Sequence, residues 1–315
     1  MPCTFFILMI LLSHKIKKEG NTMKILITGA NGMLAKSVKS KLANNDLICT
    51  DVADLDITNK EAVMKFVKNT KPEYIINCAA FTAVDKAETA GPIVEKINAE
   101  GPKNLAVAAN EYGAKLIHIS TDYVFGGNLE ISKAHSEDDP KAPVTEYGRT
   151  KLLGEQAIEN NCKEYYIFRT AWLYGDGNNF VRTMLKLGTT KDEISVVSDQ
   201  HGSPTYAEDL AEIIKQAIDK KIPYGVYHTT NEGFTTWYDF TKKIFEKAGI
   251  NCKVNPVTTE EYIKMMNVVQ AKRPENSQLS KAKLNSVGIE IPTWEDALDR
   301  YLKIELNLSL IHISE

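Results

Sequence analysis

Short β-branched runs alternate with segments of helical spacing through the first half of the chain. Lys24-Ile25-Leu26-Ile27-Thr28 reads as a strand. It breaks at Gly29-Ala30-Asn31-Gly32-Met33-Leu34-Ala35, and a helix pattern carrying Val38 and Leu42 follows. Leu47-Ile48-Cys49-Thr50-Asp51 reads as a second strand ending in an acid, and Leu55-Asp56-Ile57-Thr58 as the capped start of a helix around Ala62 and Phe66. Tyr74-Ile75-Ile76-Asn77-Cys78-Ala79-Ala80 is a third strand, ending in small residues. After a helix through Leu105 and Ala109 comes Lys115-Leu116-Ile117-His118-Ile119-Ser120-Thr121, whose apolar positions do not alternate cleanly with polar ones. That is the pattern of a strand covered on both faces. Strands alternating with helices predict an α/β fold with a doubly wound parallel sheet. Ligands in such sheets bind beyond the carboxyl ends of the strands, where Gly29, Asp51, Ala79 and Thr121 all fall.

Strand, glycine turn and helix together make a dinucleotide fingerprint credible. Gly29 permits the tight turn, Gly32 lets backbone approach a pyrophosphate at the helix start, and Ala35 still allows close helix–strand packing. Asp51 stands 22 residues after Gly29, near the offset of a carboxylate on an adenosine ribose. Such an acid favours NADH over NADPH, and a solvent-facing strand-end acid is the plainer alternative. Tyr147 and Lys151 are four apart in a segment that reads on as helix through Leu152, Leu153 and Ile158, so phenol and ammonium share a face. A nearby cation favours the ionised phenol, which suits a general acid. An ordinary surface pair has the same spacing.

Composition narrows the classes. The 315 residues are 43% hydrophobic and 25% charged with net charge −3, so no basic stripe points to nucleic acid. Five scattered cysteines form no CxxC pair, which argues for free thiols in a reducing cytoplasm and against a zinc site. His201 has no second ligand at metal spacing, so no metal is expected. Beyond residue 22 no apolar run approaches the ~20 residues of a membrane span.

Both ends read as foreign. The apolar run Phe5–Leu12 has its lysines after it and no small-residue cleavage site, unlike a signal peptide. Glu19-Gly20 can be encoded by GAA-GGA, which resembles a ribosome-binding site ahead of Met23, so residues 1–22 are expected to be translated upstream sequence. Leu308-Ser309-Leu310-Ile311-His312-Ile313-Ser314-Glu315 is what a transposon-end sequencing adapter encodes, and the native C-terminus stays open.

Several longer strings extend the pattern. They include Asn77-Cys78-Ala79-Ala80-Phe81-Thr82-Ala83-Val84-Asp85, Asn98, Ser120-Thr121-Asp122-Tyr123-Val124-Phe125, Tyr147-Gly148-Arg149-Thr150-Lys151, Arg169-Thr170-Ala171-Trp172, Gly177-Asn178-Asn179-Phe180, Gln200-His201-Gly202-Ser203-Pro204-Thr205 and Arg273-Pro274. With them the chain resembles the extended short-chain dehydrogenase/reductase family, and within it the reductases of dTDP-linked 4-keto sugars. The resemblance implies a Rossmann-like NAD(P)-binding domain over residues 23–171. A smaller α/β substrate-binding lobe would occupy mainly residues 172–307, some segments of which return to the first domain. It implies reduction of the C4 ketone of dTDP-4-dehydro-L-rhamnose by NADPH or NADH, with Thr121, Tyr147 and Lys151 as the catalytic residues. Thr121 would bond the ketone oxygen and Tyr147 would protonate it, while Lys151 would lower the phenol pKa and hold the nicotinamide ribose. Gly29, Asn31, Gly32, Met33, Leu34, Asp51, Asp56, Ile57, Ala79, Ala80 and Thr82 would join Tyr147 and Lys151 around the cofactor. Thr82, Val84, Asp85, Thr121, Asp122, Tyr123, Trp172, Asn179 and Arg273 would face the sugar nucleotide, with Arg273 near its diphosphate. A homodimer is left open. Two alternatives also stay open: another sugar-nucleotide reductase or epimerase, and a non-catalytic NADP-binding subunit like the regulatory subunit of methionine adenosyltransferase.

Overall fold

The computed structural model describes residues 22–127, 129–267 and 270–313, with side chains described up to residue 307. The expectations for residues 1–22 and 308–315 lie outside this range, apart from Thr22 and the helical backbone of 308–313.

The first half alternates as its sequence predicts. β1 (Lys24–Thr28), α1 (Met33–Lys41), β2 (Asp46–Thr50), α2 (Lys60–Thr70), β3 (Tyr74–Asn77), α3 (Val84–Ala90), α4 (Gly101–Tyr112), β4 (Lys115–Thr121), α5 (Glu146–Asn161) and β5 (Tyr165–Thr170) follow in order. Then come α6 (Phe180–Thr190), β6 (Glu193–Val197), α7 (Ala207–Lys220), β7 (Gly225–His228), α8 (Trp237–Ala248), β8 (Lys253–Val257), α9 (Thr259–Met266) and α10 (Trp294–Ile313). Six strands form one parallel sheet in the order β7-β5-β4-β3-β1-β2. The order reverses between β1 and β3, which opens a crevice at their carboxyl ends. β7 comes from the second half of the chain and completes the sheet edge beside β5.

Both faces of the sheet are covered, which is why its strands read as unbroken apolar runs. Ile25 and Ile27 pack with Leu34 and Val38 of α1 and Leu210 and Ile214 of α7. Leu26, between them in sequence, points the other way, to Val63 and Val67 of α2, Leu105 of α4 and Ile158 of α5. Burying one such side chain stabilises by roughly 1.5–3 kcal/mol. α2 is capped by Asn59, just past the Leu55–Thr58 entry, its Oδ1 accepting from Ala62 N at 3.0 Å. Thr58 is drawn instead onto Asp56, which accepts from its N–H and its hydroxyl. A second core, of Val181, Met184, Ile194, Phe240, Ile244, Phe245 and Leu298, underlies the parallel pair β6–β8.

Charge is buried behind the crevice. Arg169 on β5 and Glu155 on α5 are each 1% exposed and meet through two bonds of 2.9 and 2.7 Å. A third guanidinium bond goes to the Glu137 carbonyl at 3.0 Å. The pair fixes α5 against the sheet.

Candidate active site

The turn after β1 is built for close approach of backbone to a ligand. Gly29 has φ +64, and a Cβ there would lie 2.7 Å from Ala79 N, so only glycine lets β1 and β3 end this near each other. Gly32 precedes α1 with no side-chain cap and no acid in the first turn. The first N–H groups of α1 and the positive end of its dipole are therefore left for an external anion. These features fit a dinucleotide pyrophosphate. On the far side of the turn Asn31 N donates to Asp51 Oδ2 at 3.1 Å, which holds the acid at the end of β2.

Beside this turn lies a cleft of about 460 Å³. It brings together Gly32, Met33, Leu34, Ala79, Ala80, Thr82 and Val84 from one rim with Thr121, Asp122, Tyr123, Tyr147, Lys151 and Trp172 from the other. Gly29, Asn31, Asp51, Asp56 and Ile57 are not in its walls. Ile57 instead packs under Gly101, and its carbonyl accepts from Asn104 at 3.0 Å.

Local structure fixes the floor of the cleft. Thr145 caps α5, accepting from Gly148 N at 3.0 Å, and sets the helix start over the turn Asp122–Val124. Thr121, last residue of β4, donates to Asp122 Oδ1 at 2.9 Å and accepts from Tyr123 N at 3.2 Å. Tyr147 and Thr121 both stand in the wall of this cleft. Burial pushes the Asp122 carboxyl up to about 6, against the bond from Thr121.

Tyr147 and Lys151 line one cleft, as their spacing predicts. Burial pushes the Tyr147 phenol above its ordinary range, with the neighbouring Thr121 hydroxyl opposing that and Asp122 adding to it. Lys151, 1% exposed, turns to β4, donating to the Ile119 carbonyl at 2.6 Å and lying 3.1 Å from His118 Nε2. Burial draws the Lys151 ammonium down to about 8, against the opposing pull of Glu155 and Cys78.

A second cleft of about 370 Å³ continues past Tyr123 and Trp172, between Phe180, Gln200, Trp237 and Arg273. Trp172 sits at φ +49, a conformation a bulky residue adopts only under constraint, and its ring stacks on Trp237 with centroids 3.7 Å apart. Arg273 reaches both oxygens of Asp85 at 2.9 Å and the Tyr123 hydroxyl at 2.8 Å, so it joins the α3 side to the second lobe. Asn179 stands apart from both clefts. It caps α6, and its NH2 bonds the Gly175 and Gly177 carbonyls and the Tyr301 hydroxyl.

Three residues at the site carried no role in the sequence. Asn77 and His118 are polar positions inside otherwise apolar strands, and that mismatch was the available signal. Asn98 clamps the loop after β3, its side chain bonding Phe81 N at 2.8 Å and Phe81 O at 3.2 Å and reaching Thr150 on α5 at 3.3 Å.

Known proteins resemble this chain. A family model described as the RmlD substrate binding domain matches residues 23–307. The chain is similar to the dTDP-4-dehydrorhamnose reductase of Escherichia coli K12, with 41% identity over 297 residues covering 89% of this chain and 97% of that protein. The solved dTDP-4-dehydrorhamnose reductase of Clostridium acetobutylicum superposes with TM-score 0.85 at 48% identity, covering 90% of this chain and all of the other (100%). That of Bacillus anthracis, solved in complex with NADP, superposes with TM-score 0.84 at 42% identity, covering 89% and 99%.

Proposed function

The chain belongs to the RmlD substrate binding domain family, and on that premise we propose that it reduces the C4 ketone of dTDP-4-dehydro-L-rhamnose to give dTDP-L-rhamnose, using NADPH or NADH. The observation that carries the reading is the meeting of Thr121, Tyr147 and Lys151 in the wall of one cleft, beside a glycine turn that leaves the start of α1 open to an anion.

In this reading the reduced nicotinamide, when bound, supplies a hydride. The chain's own residues bind, orient and move a proton. Thr121 hydrogen-bonds the C4 oxygen, and Tyr147 delivers its phenolic proton as charge develops there. A phenol raised by burial keeps its proton until a strong base forms beside it, which suits an alkoxide. Lys151 supplies a cation to the phenolate left behind and holds the ribose. Gly32, Met33, Leu34, Ala79, Ala80 and Thr82 cradle the cofactor, with Asp51 toward the adenosine ribose. Val84, Asp122, Tyr123 and Trp172 face the sugar. Arg273, a planar donor suited to two phosphate oxygens, takes the diphosphate in place of Asp85.

We also propose the domain division at residues 171 and 172 and a cytoplasmic setting. The first is supported by the end of β5 at Thr170, and the second by Cys49, Cys78, Cys162 and Cys252 as free thiols. No helix among the described residues is long and apolar enough to cross a membrane.

Oxidation of NADPH and of NADH is followed with dTDP-4-dehydro-L-rhamnose and with the product sugar nucleotide. Ketone-dependent oxidation with at least one cofactor is expected. No oxidation with either rejects the reductase, and interconversion of sugar nucleotides without net oxidation identifies an epimerase.

A further inference from the structure

A row of polar side chains crosses the apolar sheet beneath the cleft. Thr28, Asn77 and His118 stand in register on β1, β3 and β4 and are at most 1% exposed. Thr28 Oγ1 donates to Asn77 Oδ1 at 2.7 Å, and the backbone N–H of Ala79 donates to the same oxygen at 3.1 Å. A backbone N–H can only donate, so the Asn77 amide has one orientation, and its NH2 faces His118 Nδ1 at 3.0 Å. Nδ1 must therefore accept. In a neutral imidazole the single proton then sits on Nε2, which is 3.1 Å from Lys151 Nζ. An N–H facing an ammonium sets donor against donor. An N–H facing a neutral amine is a hydrogen bond, and the amine still has a proton to give to the Ile119 carbonyl at 2.6 Å.

We propose that His118 is a positioning residue: with Nδ1 held as an acceptor by Asn77, it presents Nε2–H to Lys151 and lowers the proton affinity of that side chain. The groups around the pair agree. Burial first, and Lys151 second, hold the His118 imidazole well below its usual pKa, so it stays neutral. Burial raises the Cys78 thiol, which faces Lys151 from the end of β3, to about 12, so it brings no charge at neutral pH. Glu155, one turn along α5, is committed to Arg169 by two bonds. The bearing on catalysis rests on the reductase reading, in which Lys151 acts as a cation beside Tyr147. The hydrogen-bond register itself does not depend on turnover.

The test is nuclear magnetic resonance on the full chain without added nucleotide, with isotope-labelled histidine and lysine, in wild type, Asn77→Asp and Asn77→Leu. The His118 resonances are identified by their loss in His118→Gln. In wild type, His118 is expected to carry its proton on Nε2 and Lys151 to titrate at or below about 8. In Asn77→Asp a carboxylate oxygen accepts from Nδ1–H, the tautomer inverts, and the proton affinity of Lys151 rises tenfold or more. Asn77→Leu removes the donor to Nδ1 without adding charge and should shift both signals the same way. If the leucine variant does not fold, the aspartate variant decides, since it keeps the oxygen that Ala79 and Thr28 need. A wild-type His118 protonated on Nδ1 would overturn the proposal. So would a Lys151 titrating near its ordinary 10.5, or a tautomer that inverts while Lys151 stays unchanged. An inactive enzyme with the expected spectra would sink the reductase reading alone.

Discussion

A Cβ on Gly148 would collide with the carbonyl oxygen of Tyr123, so there is no room for a methyl group between α5 and the turn after β4. Gly148→Ala should therefore lift the start of α5 and carry Tyr147 off Thr121. A displacement of about 1 Å at reacting groups can cost ~10²-fold in rate. We expect kcat to fall by about that factor while NADPH affinity, read by fluorescence titration, changes little. Wild-type kcat in this variant would mean that the helix start does not set the reacting geometry.

Tyr147→Phe removes the proton donor and keeps the ring that packs edge-on against Tyr123, with centroids 5.5 Å apart. Loss of a general acid costs about 10²–10⁴-fold. Steady-state kinetics should show that loss in kcat with cofactor binding retained. Unchanged turnover would remove Tyr147 from the chemistry.

The Arg169–Glu155 pair makes a thermodynamic prediction. Removing one partner of a buried ion pair costs about 3–5 kcal/mol, because the other charge is stranded, whereas replacing both by apolar groups is often neutral. Glu155→Gln should lower Tm clearly in calorimetry, and Arg169→Met with Glu155→Leu should recover most of the loss. Equal Tm values for the single and double variants would show that the charges are not coupled.

Lys281 is 4% exposed, its ammonium 4.5 Å above the Phe234 ring and 3.8 Å from Glu232. Burial draws its pKa from 10.5 to about 8, with Glu232 opposing. Between those two values the unfolded chain binds more protons than the folded one, so stability rises with pH across that window. Below about 8 the full penalty for burying the cation is present. Lys151, lowered in the same way, acts with the same sign. Lys281→Met should raise stability at neutral pH by on the order of 1–3 kcal/mol and flatten the rise on the alkaline side. Denaturant titrations across that range check it, and an unchanged slope would show that Lys281 does not titrate there.

Local chemistry made much of the large sheet legible. β1 to β4 are short apolar runs with turn residues after them, and α5 has a capping threonine and a helical stripe. β7 was not legible: Gly225-Val226-Tyr227-His228 is too short and too mixed to announce a strand, and it exists because β5 offers an open edge. The glycine turn and the Tyr147–Lys151 face could be read from spacing. The direction in which Lys151 points could not, since it depends on His118 across the sheet, a partner 33 positions away in the chain. Asn179 shows the converse. Its place in a distinctive string suggested a ligand contact, and the fold spends its amide on the end of α6.

Trp172 is a wall of both clefts, pinned by a left-handed backbone on one side and by the Trp237 ring on the other. One indole thus serves as a partition between two chambers, and it cannot shift toward one without enlarging the other. Whatever factor the first ligand imposes on the dissociation constant of the second, the second must impose on the first.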